Sequence, residues 1–258
     1  MKSPKALVIT IAASLSLFSS SSGEVLFEET FEGGNGRLAK RLIGKKQVTF
    51  APGKGPDGSD AIKVAYIGTG KGSDRIVMGE DLSKAVQAAT LSFNVMFDED
   101  FQWVKGGKLH GLGPKKPVTG GAPRRPDGWS ARMMFKEDGR LTYYVYDQDD
   151  REKPGHSENR PRKAFKAGKW HNVVCKVIVN DVDKKNGRVE VFVDGRSISR
   201  MTKIELRGED SPETLITHFI FATFHGGGSP DWAPKDSSGK YTTVYAYYDN
   251  FKVVEGAD

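Results

Sequence analysis

Period-two alternation recurs along this chain while no 3.6-residue period persists, and that commits the backbone to β-structure. Strand patterns bounded by Gly, Pro, Asn and Asp cover residues 25–31, 47–50, 61–67, 89–97, 129–135 and 141–146. They continue over residues 170–179, 188–193, 205–206, 218–225 and 244–254. The one helix candidate is the short segment 79–88. Many strands joined by long Gly-rich connections predict an all-β sandwich or jelly roll.

The most informative pair of strands is Trp129 to Phe135 and Leu141 to Tyr146, joined by Lys136-Glu137-Asp138-Gly139-Arg140. Alternation puts Trp129, Ala131, Met133 and Phe135 on one face with Leu141, Tyr143 and Val145, an apolar set that can seal a core. Ser130, Arg132 and Met134 share the other face with Thr142, Tyr144 and Tyr146. A hydroxyl, a guanidinium and two phenols on a rigid sheet suit an anionic ligand.

The start of the chain reads as a leader. Lys2 and Lys5 precede an apolar run from Ala6 to Phe18, followed by Ser19-Ser20-Ser21-Ser22-Gly23. The run is shorter than the roughly 20 residues a membrane span needs. Residues 1–23 are therefore expected to be a signal peptide, residues 24–258 a single β domain, and the protein secreted or periplasmic. The only cysteine, Cys175, alternates in phase with Val173 and Val177 and reads as core. Thirty-nine basic against 33 acidic residues give a net charge of +6, which suits a polyanionic partner without identifying one. No metal-ligand spacing occurs and no cofactor is expected. No nucleic-acid or membrane partner is expected either, and the protein is expected to act as a monomer.

Two further segments bear on function. Lys105-Gly106-Gly107-Lys108-Leu109-His110 precedes the hairpin, and its glycines let the backbone turn closely. Residues 111–128 are rich in Gly, Pro, Lys and Arg and cannot form a regular strand. His225, ending a strand pattern before three glycines, is a candidate to line a cleft, as is His110 beside Lys108. Trp232 is a candidate for stacking on a sugar.

The Gly-Gly-Lys-Leu segment, Trp-Ser-Ala-Arg-Met-Met, Tyr-Tyr-Val-Tyr, the Gly-Lys-Trp-His strand from Gly168 and Phe224-His225-Gly226-Gly227-Gly228 together resemble polysaccharide lyase family 14. The glucuronan lyases are similar in the same segments. The resemblance implies a concanavalin-like jelly roll of two curved antiparallel sheets with a concave substrate cleft, and β-elimination on an acidic polysaccharide such as alginate or polyglucuronate. It assigns catalysis to Lys108, Arg132, Tyr144 and Tyr146. Substrate binding falls to Ser130, with His225 and His110 as further candidates.

The chemistry asks for these residue types. Elimination removes the C5 proton of a uronate beside a carboxylate that resists further negative charge, so a cation must offset it. Arg132 suits a bidentate hold on that carboxylate, and Lys108 adds charge. Tyr146 is the expected proton-transfer residue with Tyr144 assisting. A glycoside hydrolase would need two carboxylates on one strand face, and none occurs. The remaining alternative is a non-catalytic module that binds acidic polysaccharides.

Overall fold

Alternation becomes two antiparallel sheets in the computed structural model, which describes residues 23–149 and 154–257. The expected leader thus lies, all but Gly23, outside the described residues. The first strands are β1 (Val25–Glu29), β2 (Val48–Ala51), β3 (Ala61–Thr69), β4 (Gly72–Ser73), β5 (Ile76–Val86) and β6 (Ala88–Phe97). Next come β7 (Gly107–Gly113), β8 (Ser130–Lys136), β9 (Arg140–Tyr146), β10 (Arg162–Lys163) and β11 (Trp170–Ile178). The last are β12 (Gly187–Val193), β13 (Arg196–Ile204), β14 (Ile216–His225) and β15 (Thr243–Glu255). One sheet runs β13-β12-β11-β6-β15-β3-β2, with β1 paired to β15 and β4 to β3. The other runs β10-β9-β8-β7-β14-β5.

Both sheets give their inner faces to one apolar core. From the six-stranded sheet come Trp129, Ala131, Met133, Phe135, Leu141 and Val145, as the alternation requires. Phe93, Val95, Phe97, Tyr248 and Phe251 face them from the other sheet. Cys175 is fully buried among these residues, and burial pushes its thiol up to about 12, so it is a core residue without thiolate chemistry. Asp194 and Gly195, both at positive φ, make the tight turn between β12 and β13.

Two expectations about elements are corrected. Segment 79–88 is not a helix: Ile76–Val86 is an edge strand on β14. Its Glu80 points inward and pairs with Arg41 and Arg37, an inward charge that blunts an exposed edge. That polar residue on the buried face breaks the period-two pattern and imitates a helix. A short helix forms instead at α1 (Arg37–Ile43), burying Leu38, Ala39 and Leu42. Its Ala39 N–H donates to the carboxylate of Glu29, a negative charge set at the helix N-terminus. Residues 205–206 are not a strand either, and β13 ends just before them at Ile204.

Candidate active site

The β8–β9 ladder opposes Ser130 to Tyr146, Arg132 to Tyr144 and Met134 to Thr142. Across the other edge of β8, Lys108 of β7 sits opposite Met134, and on β7's far side it meets Phe224 of β14. Lys108, Arg132, Tyr144 and Tyr146 therefore share the outer face of the six-stranded sheet. They line a cleft of about 440 Å³ with Arg75, Lys136, Phe224 and Trp232. Four cations line this cleft and no described lining residue is a carboxylate. Gly227 gives Trp232 its seat, because a Cβ there would lie 2.2 Å from the indole ring.

Arg132 is the most constrained group. It is 3% exposed, yet its Nε and Nη2 have no hydrogen-bond partner among the described residues. The aromatic faces of Tyr144 and Tyr146 lie 5.5 and 5.9 Å from its guanidinium carbon. Leaving a buried guanidinium without an anion costs on the order of several kcal/mol, far more than cation–π contacts of about 1–2 kcal/mol return. Planar N–H donors so placed suit a carboxylate.

Lys108 lies beside it. Its Nζ is 3.3 Å from the Met134 sulfur and 3.9 Å from the centre of the Tyr144 ring. Burial, and then the charges of Arg132, Lys136 and Arg75, bring its amine down to about 7. Lys108 is thus able to accept a proton near neutral pH. Tyr144 is shifted the other way. Burial first, then its contact with Tyr146, outweighs the opposing effect of Arg132 and Arg124 and raises its hydroxyl well above the ordinary phenol value. Tyr144 stays protonated at neutral pH and has a proton to give. Its Oη is 3.4 Å from that of Tyr146, which is fully buried behind it.

Residues from the 111–128 segment cover this pair. Ser130 Oγ donates to the Val118 carbonyl at 2.8 Å, so its hydroxyl anchors the segment rather than facing the open cleft. The Gly121 N–H donates to Tyr146 Oη at 2.8 Å, and the Arg124 guanidinium carbon sits 4.4 Å from the Tyr146 ring centre. Val118, Met134, Tyr144 and Tyr146 form a small apolar cluster of their own, with Trp232 packed on it.

Two histidines expected at the cleft lie elsewhere. A bulge between Leu109 and Gly111 inserts one residue into β7 and rotates His110 off the face of Lys108. Gly111 permits it, since a Cβ would lie 2.1 Å from the Ala131 carbonyl oxygen. His110 is fully buried among Phe93, Phe221, Tyr248 and Phe251, and burial holds it far below its usual value. His225 follows cleft-facing Phe224 and so points inward, with Nε2 2.7 Å from the Gln102 carbonyl oxygen. Both are core residues, not substrate ligands.

Sequence reasoning missed Lys136, Arg75, Gly121 and Arg124. Lys136 was readable, being two residues beyond Met134 on the same face. The other three reach the site through loops without periodicity. Among the described residues no group of three or more His, Cys, Asp or Glu is placed to hold a metal ion. No helix among them is long and apolar enough to cross a membrane.

Comparison with known proteins bears on family and fold. Residues 67–251 match the sequence profile of Polysaccharide lyase 14. The marine PL-14 alginate lyase from Aplysia kurodai superposes with a TM-score of 0.69 at 20% identity, covering 90% of this chain and 99% of that one. Alginate lyase Aly36B gives 0.63 at 22% identity, over 77% and 81% of the two chains. The endo-β-1,4-glucuronan lyase of the fungus Trichoderma reesei gives 0.55 at 17% identity, over 81% and 86%. At these identities the structural likeness speaks for a shared jelly roll. No curated protein matches the sequence.

Proposed function

The chain belongs to polysaccharide lyase family 14, and we propose that its cleft cleaves a uronate polymer such as alginate or polyglucuronate by β-elimination. One observation carries the assignment of the site: a buried Arg132 whose Nε and Nη2 have no partner among the described residues, in a cleft lined by cations and no described carboxylate. A structure of a variant of Aly36B, with a lysine and a tyrosine each replaced by alanine, is of its complex with an alginate tetrasaccharide, which supports an oligouronate as the occupant of such a fold.

In the reaction, Arg132 holds the uronate carboxylate and offsets the charge that builds on it as the C5–H bond breaks. Lys108, neutral in part of its population at pH 7, takes the C5 proton. The C4–O4 bond breaks, a C4–C5 double bond forms, and Tyr144 gives its proton to the departing O4. The ammonium of Lys108, beside Tyr144, then returns a proton to the phenolate, so no water or cofactor is consumed. Tyr146 serves as the second phenol behind Tyr144. Ser130 works through the segment it anchors. Lys2, Lys5 and the apolar run after them support export of the protein to meet its substrate.

The test is incubation with polymannuronate, polyguluronate and polyglucuronate while ultraviolet absorbance of the new double bond is followed. Rising absorbance with at least one polymer is expected. Binding to all three without any rise would leave a non-catalytic module as the better description.

A further inference from the structure

The basic segment between β7 and β8 enters the chemistry just described only through its anchor at Ser130, yet two of its groups end on one atom cluster. Gly121 points its N–H at Tyr146 Oη from 2.8 Å. An amide N–H can only donate, so Tyr146 Oη accepts it, and the same oxygen lies 3.4 Å from Tyr144 Oη, where either phenol can donate. Arg124 lies over the Tyr146 ring, and its Nε donates to the Asp149 carbonyl, which fixes the side chain. Its charge is felt at Tyr144 as well, where it opposes the upward shift caused by burial.

We propose that Gly121 and Arg124 form a charge-receiving site for the tyrosine pair, acting as positioning residues through Tyr146 without touching the sugar. The proposal rests on the lyase reading above. As the Tyr144 O–H bond breaks toward O4, the Tyr146 proton moves to Tyr144 Oη. The negative charge is thereby delivered to Tyr146 Oη, to which the Gly121 N–H donates and whose charge Arg124 offsets. Return of the Lys108 proton restores both phenols. A preorganised N–H and a fixed cation stabilise a developing anion most where water is excluded, and Tyr146 is fully buried.

Other groups face Tyr146 too. Arg132 lies across its ring from β8, Ser130 opposes it on the ladder, and Gly155 packs on its edge. Asp147, next on the chain, is paired with His156 and also feels Arg124. The Arg124 charge therefore works between an acid and a phenol.

The measurement is a pH–rate profile of Arg124→Gln and Arg124→Lys on whichever polyuronate the wild type cleaves. Loss of the cation makes the phenolate harder to form. Arg124→Gln should lower kcat roughly tenfold with KM nearly unchanged and move the alkaline limb to higher pH, while Arg124→Lys recovers part of both. In a Tyr146→Phe background the Arg124→Gln cost should vanish. Wild-type kcat and an unmoved alkaline limb would overturn the role of the segment while leaving the lyase reading intact, as would a rise in KM alone. A wild type that eliminates nothing brings down both.

Discussion

Lys108 Nζ lies 3.9 Å from the centre of the Tyr144 ring, and the two groups are perturbed in opposite directions. Burial lowers the amine to about 7 and raises the phenol, which drives the two apart into one group that can take a proton and one that keeps its own. In the proposed role the neutral amine is the active form, so kcat/KM should climb as pH rises through about 7 and then level. Lys136→Gln removes one of the cations that hold the amine down, so the same limb should move to higher pH. Lys108→Arg keeps the charge but cannot lose its proton, and turnover should fall about 10²-fold or more. A profile flat across neutrality would exclude Lys108 as the base.

Arg132 couples function to a stability cost. Arg132→Met removes a buried guanidinium whose Nε and Nη2 lack partners among the described residues, and should stabilise the protein by about 1–3 kcal/mol in urea unfolding. The same variant should lose on the order of 10²–10³ in kcat/KM. Loss of activity together with loss of stability would mean that Arg132 has a structural task.

The two phenols should act as a unit. Tyr146→Phe keeps the ring and the cluster with Val118 and Met134, so the fold should survive while turnover drops by about 10². Tyr144→Phe should cost at least as much, because Tyr144 faces the substrate. The double variant should be little worse than the poorer single one. Additive losses would separate the two roles.

The legible part of the site was its register. Ser130, Arg132, Tyr144 and Tyr146 were placed on one face by alternation alone, because a regular hairpin has no freedom to do otherwise. His110 was not, because the bulge at Leu109–Gly111 depends on how closely β7 approaches β8. Strand β5 was hidden by inward-facing Glu80, whose partners Arg41 and Arg37 come from a helix far away in sequence. The reach of Gly121 and Arg124 to Tyr146 left no trace at all. A backbone N–H has no side chain to recognise, and a loop has no period.

The buried histidines set the behaviour in acid. Both are held neutral in the fold by burial, His225 near 4 and His110 far below its ordinary value. Unfolded histidines bind a proton below about 6.5, so the stability these groups allow is complete above that pH and is lost as pH falls toward 4. His225 alone should cost on the order of 3 kcal/mol over that window. Thermal unfolding should show a falling Tm from about pH 6.5 downward. His225→Gln should flatten that slope while leaving neutral-pH turnover in place, since the side chain lies outside the cleft. An unchanged slope would assign the acid sensitivity elsewhere.

Strand β15 (Thr243–Glu255) pairs with β6 on one side and β3 on the other, in the interior of the larger sheet. During synthesis, therefore, β3 and β6 wait without a common neighbour until residues 243–255 have emerged. The hairpin that bears Arg132 and Tyr146 can close locally long before then, but its apolar face has no complete wall to rest on. Closure of the larger sheet thus waits on a segment with no part in the chemistry.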